Sequence, residues 1–277
     1  MIVHPRYDGP PIVSIDGSPG ELLQPVTRQR RRMQAMLADL APHEWATPSR
    51  CADWAVRDVV AHLIEVNQFW DASIASGAAG NPTRWLRGFD PASTPAAMVA
   101  AMAEISVDDL IDRFDVSTDA LLATLAALDD PSWSMVAESP AGHVPIRLVA
   151  QHALWDSWIH ERDVALPLGL DPATEDDEIR ACLQYAAAIG PALALQTSES
   201  ANAGSYVLAA TDPAMQFEIE VGSGVHVVES TREAGPALCG EAVDLVELLS
   251  LRVPAPDSTP PAWRTLLRAL AVAFDLP

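Results

Sequence analysis

Apolar and polar positions follow two different periods along this chain, and the change from one to the other divides it. Over residues 25–40, Met33, Met36, Leu37 and Leu40 recur at the spacing of a single helix face. A second helix is predicted over 54–76, with Asp53 as its N-cap and a stripe of Val56, Val59, Val60, Leu63, Val66 and Trp70. A connection rich in Pro, Gly and Ser over 77–95 leads to a short helical piece at 96–103. Ser106 and Asp109 then resemble a capping box, with Asp in place of the usual Glu, before a helix whose face carries Leu110, Phe114, Leu121, Leu125 and Leu128. Asp130-Pro131 ends that helix, and a loop containing Ser, Pro and Gly runs into a fourth long helix over 145–166. Four amphipathic helices joined in this way predict an antiparallel bundle.

A further helical stretch, 175–195, precedes the change of period. Residues 205–211, 215–221 and 225–230 alternate apolar and polar side chains, separated by Thr211-Asp212-Pro213 and Gly222-Ser223-Gly224, and predict an antiparallel meander. Helices over 241–251 and 261–274 close the chain. The expected class is therefore α+β: an arm over 1–24, a four-helix bundle over 25–172, and a smaller α+β unit of meander plus helices over 173–277.

Composition narrows the possible partners. The 277 residues are 49% hydrophobic and 20% charged, with no apolar run near the roughly 20 residues of a membrane span. The first residues mix Pro, Gly and both charge signs and lack a secretion signal's apolar stretch, so a soluble, cytoplasmic protein is expected. A net charge of -21 argues against nucleic acid and anionic membranes as partners. The one basic cluster, Arg28 to Arg32, reads as a solvated helix face. All 17 basic residues are Arg, which excludes lysine Schiff-base chemistry and a P-loop lysine. Cys51, Cys182 and Cys239 are too scattered for a disulfide framework or a thiolate zinc site.

The fourth helix carries the candidate chemistry. Ile146, Val149, Ala153, Ser157, His160 and Val164 fall on one stripe, which turns His160 toward the core with Asp156 beside it. Positions four apart differ by about 40° and about 6 Å along the axis, so both side chains can grip one ion. A carboxylate buried beside an imidazole is costly unless it is paired or ligates a metal. His62, on the flank of the second helix's stripe, can supply a third ligand, and three protein ligands with one open position suit a catalytic metal. The same spacing also fits a hydrogen-bonded Asp156–His160 pair with His62 as an ordinary helix histidine. His152 is also four residues from Asp156, but His152 and His160 lie about 12 Å apart along the helix and cannot readily share an ion. Spacing alone leaves these alternatives open.

The segment TPSRCADWAVRDVVAHL, Thr47 to Leu63, resembles the opening motif of the mycothiol-dependent maleylpyruvate isomerase-like family, within the DinB-like superfamily. DSWIHERDV, Asp156 to Val164, followed by Leu168-Gly169, is similar to that family's second motif, and GEAVDLVELLSLR over 240–252 resembles its C-terminal helix. The resemblance implies a DinB-like bundle binding a divalent metal, zinc or else nickel, through His62, Asp156 and His160. It implies mycothiol as co-substrate, Asp163 near the reacting substrate, and Arg252 as a clamp for a carboxylate or the thiol. Where the family usually carries Glu, this chain has Asp156, and where a glycine commonly precedes the C-terminal arginine it has Leu251. The implied activity is isomerisation or S-transfer on a small, electrophilic, anionic substrate, by a monomer or homodimer. A metal-dependent hydrolase without thiol, and a non-catalytic small-molecule binding protein on the same fold, are the competing readings.

Overall fold

The computed structural model describes residues 4–196, 203–231 and 237–273. In chain order its elements are β1 (Val13–Ile15), α1 (Leu23–Ala38), α2 (Val56–Ala78), α3 (Ser93–Ala101), α4 (Val107–Ala126), β2 (Val136–Ser139), β3 (Gly142–Pro145), α5 (Ile146–Ala165), α6 (Asp176–Gln196), β4 (Gly204–Thr211), β5 (Ala214–Val221), β6 (Val225–Glu229), β7 (Ala237–Gly240), α7 (Ala242–Leu249) and α8 (Pro261–Ala273). This is the expected α+β class. Helices α1, α2, α4 and α5 pack together as the bundle, and α6 lies along α5 with the sheet, α7 and α8 on its other side. The expected end of the last helix, at residue 274, lies outside the described residues. No helix among the described residues is long and apolar enough to cross a membrane.

One apolar cluster runs from Trp70, Leu121 and Leu125 in the bundle through Leu154 and Trp158 of α5 to Ile189, Phe217, Leu245 and Trp263. A second fills the other end of the bundle around Met33, Leu37, Val59, Leu63 and Phe114. Because α5 is flanked on both sides, eighteen of its twenty residues are buried, and the two exceptions are Asp156 and Arg162. The helix that carries the candidate chemistry is thus the central strut of the molecule.

The sheet has the order β1-β6-β5-β4-β7. The meander β4-β5-β6 is antiparallel, as its alternation predicts, while β1 and β7 add parallel strands at its two edges. The N-terminal arm is therefore knitted into the fold: Ile12 and Val13 are buried, and the Val225 amide donates to the Ile12 carbonyl at 2.7 Å. Sequence periodicity misses β1 and β7 because strands of three and four residues are too short to show alternation.

Three local expectations are corrected. Asp53 does not cap α2; it sits in the preceding turn at φ 65°, and the Ala55 amide donates instead to Asp58 Oδ2 at 2.9 Å. The loop read before α5 contains the hairpin β2-β3, whose Gly142, at φ 109°, lies so close to Arg6 that a Cβ would stand 2.0 Å from a backbone atom. The basic cluster on α1 is not a solvated face. Arg30 is fully buried and donates to the Ala153 carbonyl at 3.1 Å, while Arg32 bridges Glu161 and Glu178. The Ser106–Asp109 box, by contrast, forms as expected, with the Asp109 amide donating to Ser106 Oγ at 3.2 Å.

Glu138 on β2 ties the arm and the 79–92 connection to the hairpin. Fully buried, it accepts from Tyr7 OH (2.5 Å), Thr83 Oγ1 (2.6 Å) and the amides of Trp85 and Leu86 (both 2.8 Å). Hydrogen bonds to a charged group contribute more than neutral ones, and their loss strands several donors at once. Glu138→Ala is expected to cost roughly 3 kcal/mol in urea unfolding. A loss below about 1 kcal/mol would show that the connection holds its place without this carboxylate.

Candidate functional site

Between the bundle and the helices beyond it lies a cavity of about 430 Å³, with walls from α2, the 89–95 segment, α5, α6, the turn after α7, and α8. His62, Asp156 and His160 meet at its edge. Asp156 Oδ1 stands 3.8 Å from His62 Nε2 and 3.7 Å from His160 Nε2, and one donor atom from each residue lies within 4.8 Å of the other two. These separations are too long for good hydrogen bonds. They are close to the roughly 3.3 Å between donors on a tetrahedral ion with ligands at about 2.0–2.1 Å. Asp156 Oδ2 is buried with no hydrogen-bond partner. The donor set therefore fits a divalent cation, and so does an orphaned carboxylate oxygen in a region that cannot solvate it.

Asp163, one turn on, completes the arrangement from behind. It is fully buried, stands 3.0 Å from His160 Nδ1 through Oδ2, and receives Arg252 Nε (2.9 Å) and Nη2 (2.8 Å). The carboxylate holds the Nδ1 proton, which turns Nε2 of His160 toward Asp156 and His62, where a metal ion would take the place of a second proton. Burial works against the charge on Asp163, yet its hydrogen bond to His160 and the Arg252 guanidinium hold its carboxyl well below the usual carboxylate range. Asp156 is depressed likewise, with His62 and His160 outweighing burial. Around His160, Cys51, Asp163 and Asp156 together overcome burial and push it up to about 10. A region that raises an imidazole this far favours positive charge of any kind, a proton or a metal ion alike.

The structure thus brings together all five residues singled out in the sequence. It gives Arg252 a partner the sequence did not reveal, because the guanidinium fork is occupied by Asp163 rather than open to an anion. Cys51, which the motif contained without a role, lies 3.2 Å from Asp163 Oδ2 and 3.6 Å from His160 Nδ1. Glu247 also went unnoticed: it accepts from Arg50 (2.9 and 2.7 Å) and Arg162 (2.8 Å), fastening α7 to the bundle. Leu251 adopts φ 58°, the left-handed conformation that favours glycine, and the Arg252 amide donates to the Glu247 carbonyl at 2.8 Å to close α7. Holding a leucine there costs on the order of 1 kcal/mol, and its side chain becomes part of the cavity wall.

Burial raises the Glu247 carboxyl, but Arg50 and Arg162 outweigh it and leave the group below its ordinary 4.5. A depressed carboxylate stabilises the fold above its unfolded pKa, and that contribution fades as pH falls through the folded value. Urea unfolding should show Glu247→Gln less stable than the wild type at pH 7, with the gap narrowing below about pH 4.5. A gap unchanged from pH 7 to pH 3 would contradict this.

A family model described as the mycothiol maleylpyruvate isomerase N-terminal domain matches residues 26–165 of this chain, just over half its length. Among solved structures, mycothiol-dependent maleylpyruvate isomerase aligns with a TM-score of 0.62 at 14% identity, covering 87% of this chain and 95% of that one. A histidine-to-alanine mutant of that isomerase aligns with the same score and coverage at 15% identity. At such identities the likeness is one of fold. No curated protein matches the chain significantly.

Proposed function

The chain belongs to the mycothiol maleylpyruvate isomerase N-terminal domain family, and from that membership we propose a metal- and mycothiol-dependent isomerase or S-transferase acting on a small electrophile. The observation that carries this reading is the His62, Asp156 and His160 cluster, with its unpartnered buried carboxylate oxygen, at the edge of an apolar cavity. Two imidazoles and a carboxylate suit zinc, with nickel as the other candidate. A divalent cation bound there supplies one thing: it keeps a thiol sulfur ionised at neutral pH.

The protein's own residues supply the rest. His62, Asp156 and His160 would hold the ion. Asp163, touching His160 but not the cavity, is a positioning residue, and Arg252 holds Asp163. The thiolate sulfur adds to the far carbon of a conjugated double bond, and the π pair moves onto the adjoining carbonyl oxygen as an enolate. Rotation about the resulting single bond and expulsion of the same thiolate returns the geometric isomer, with no net change in atoms. Protonation of the enolate carbon by the proton the thiol gave up instead leaves a thioether.

The test is to incubate the purified protein with mycothiol and a panel of conjugated enones, following isomer formation and thiol consumption. Turnover that requires the thiol and falls at least 100-fold in His62→Ala is expected. Equal isomer formation without thiol would overturn the thiol-dependent reading. Asp163→Asn should lower metal affinity by about 10–100-fold, as loss of a carboxylate behind a ligating histidine typically does. Unchanged affinity would remove Asp163 from the account.

A further inference from the structure

Beyond the three candidate ligands, much of the cavity's lining is apolar. Trp70, Phe89, Trp155, Ile189, Leu193 and Leu270 contribute to it, and Leu251 adds an apolar side chain near the turn that ends α7. Among the described residues, the charged side chains that reach the cavity are Asp156, Arg50, Arg252 and His160, the last already facing the carboxylates of Asp156 and Asp163. Both arginines are already matched by carboxylates, Arg50 by Glu247 and Arg252 by Asp163. An anionic group set against these apolar side chains would lose its water and find no unmatched protein cation, which disfavours it.

A buried polar pair adjoins these side chains. His152, a helical turn before Asp156 on α5, lines the cavity, and its Nδ1 lies 2.7 Å from Tyr185 OH of α6. Tyr185 is buried and has no other acceptor among the described residues, so its hydroxyl proton goes to Nδ1. Burial drives His152 down to about 4 against the opposing pull of Asp156, which keeps the ring neutral. A neutral imidazole that accepts at Nδ1 carries its proton on Nε2. That N–H has no protein partner among the described residues and is not sealed from the cavity. Trp70, whose ring centroid is 4.5 Å from that of His152, likewise has an indole N–H without a partner.

We propose that this cavity selects an uncharged electrophile with an aromatic or branched apolar body, a conjugated ketone or aldehyde by class, whose carbonyl oxygen accepts a hydrogen bond from His152 Nε2. The proposal rests on the thiol-dependent reading for the word electrophile, while the preference for a neutral carbonyl rests on the wall and the Tyr185–His152 pair alone. His152 acts on substrate directly, and Tyr185 is the positioning residue that fixes its tautomer. The hydrogen bond strengthens as the carbonyl oxygen gains charge during addition at the conjugated carbon, so it aids reaction as well as recognition.

Isothermal titration of the purified full-length protein, and of its His160→Ala variant, which holds no metal for a carboxylate to ligate, without thiol, with 4-phenylbutan-2-one and its near-isosteric carboxylate 3-phenylpropanoate separates this proposal from the preceding one, since neither probe is turned over. In His160→Ala the ketone is expected to bind at least tenfold tighter than the carboxylate, and tighter than maleate by a larger factor. Against the wild type, His152→Phe or Tyr185→Phe, whichever folds by circular dichroism, should weaken the ketone at least fivefold. The His160→Ala comparison stands even if neither of these variants folds. Equal or tighter binding of the carboxylate to His160→Ala, or folded His152 or Tyr185 variants that keep wild-type affinity for the ketone, would overturn the proposal. Failure of the thiol-dependent assay would leave this result untouched.

Discussion

Burial of α5 on both sides is the constraint from which the rest of the structure follows. A helix enclosed by a bundle on one flank and by α6 on the other cannot leave its ionisable side chains to water, yet this one carries His152, Asp156, His160, Glu161 and Asp163. Each must find a countercharge or a donor within the protein, because an isolated buried charge costs several kcal/mol or more. The partners come from α1, α2, α6 and the turn after α7, and they tie those elements to α5.

Most of these groups find at least one close partner. Glu161 takes Arg32 and Gln29 from α1, Asp163 takes Arg252 from the turn after α7, and His152 takes Tyr185 from α6. Asp156 is the exception. Two imidazoles stand near its Oδ1 at distances too long for strong hydrogen bonds, and its Oδ2 has no partner. Arg147 Nε and Gln151 Oε1 on the same helix also lack partners, but Asp156 Oδ2 belongs to a carboxylate faced by two imidazoles, and that combination marks where something from outside the chain belongs. The matched arginines and the apolar lining then indicate what the adjoining cavity accepts.

Much of the fold was legible in sequence because long amphipathic helices and a three-strand meander announce their period over many residues. Strands β1, β2, β3 and β7 did not, at three or four residues each. The trio His62, Asp156 and His160 could be grouped by helical spacing and family motifs, since two members share one helix turn. Arg252 could be nominated but its partner could not: Asp163 is 89 residues away, and only the folded position of the turn after α7 shows that this carboxylate fills the guanidinium fork. The same holds for Tyr185 and His152, 33 residues apart on two helices, and for the α1 arginines, whose run of like charge suggests a wet surface until Glu161 and Glu178 appear opposite them.

The central claim is that Asp156 and its two histidines hold one divalent ion. Elemental analysis by mass spectrometry of protein purified without added metal, beside His160→Ala prepared identically, tests it most directly. The account predicts close to one zinc or nickel per chain in the wild type and its loss in the variant. Absence of metal from both proteins, persisting after loading with either ion, would contradict it.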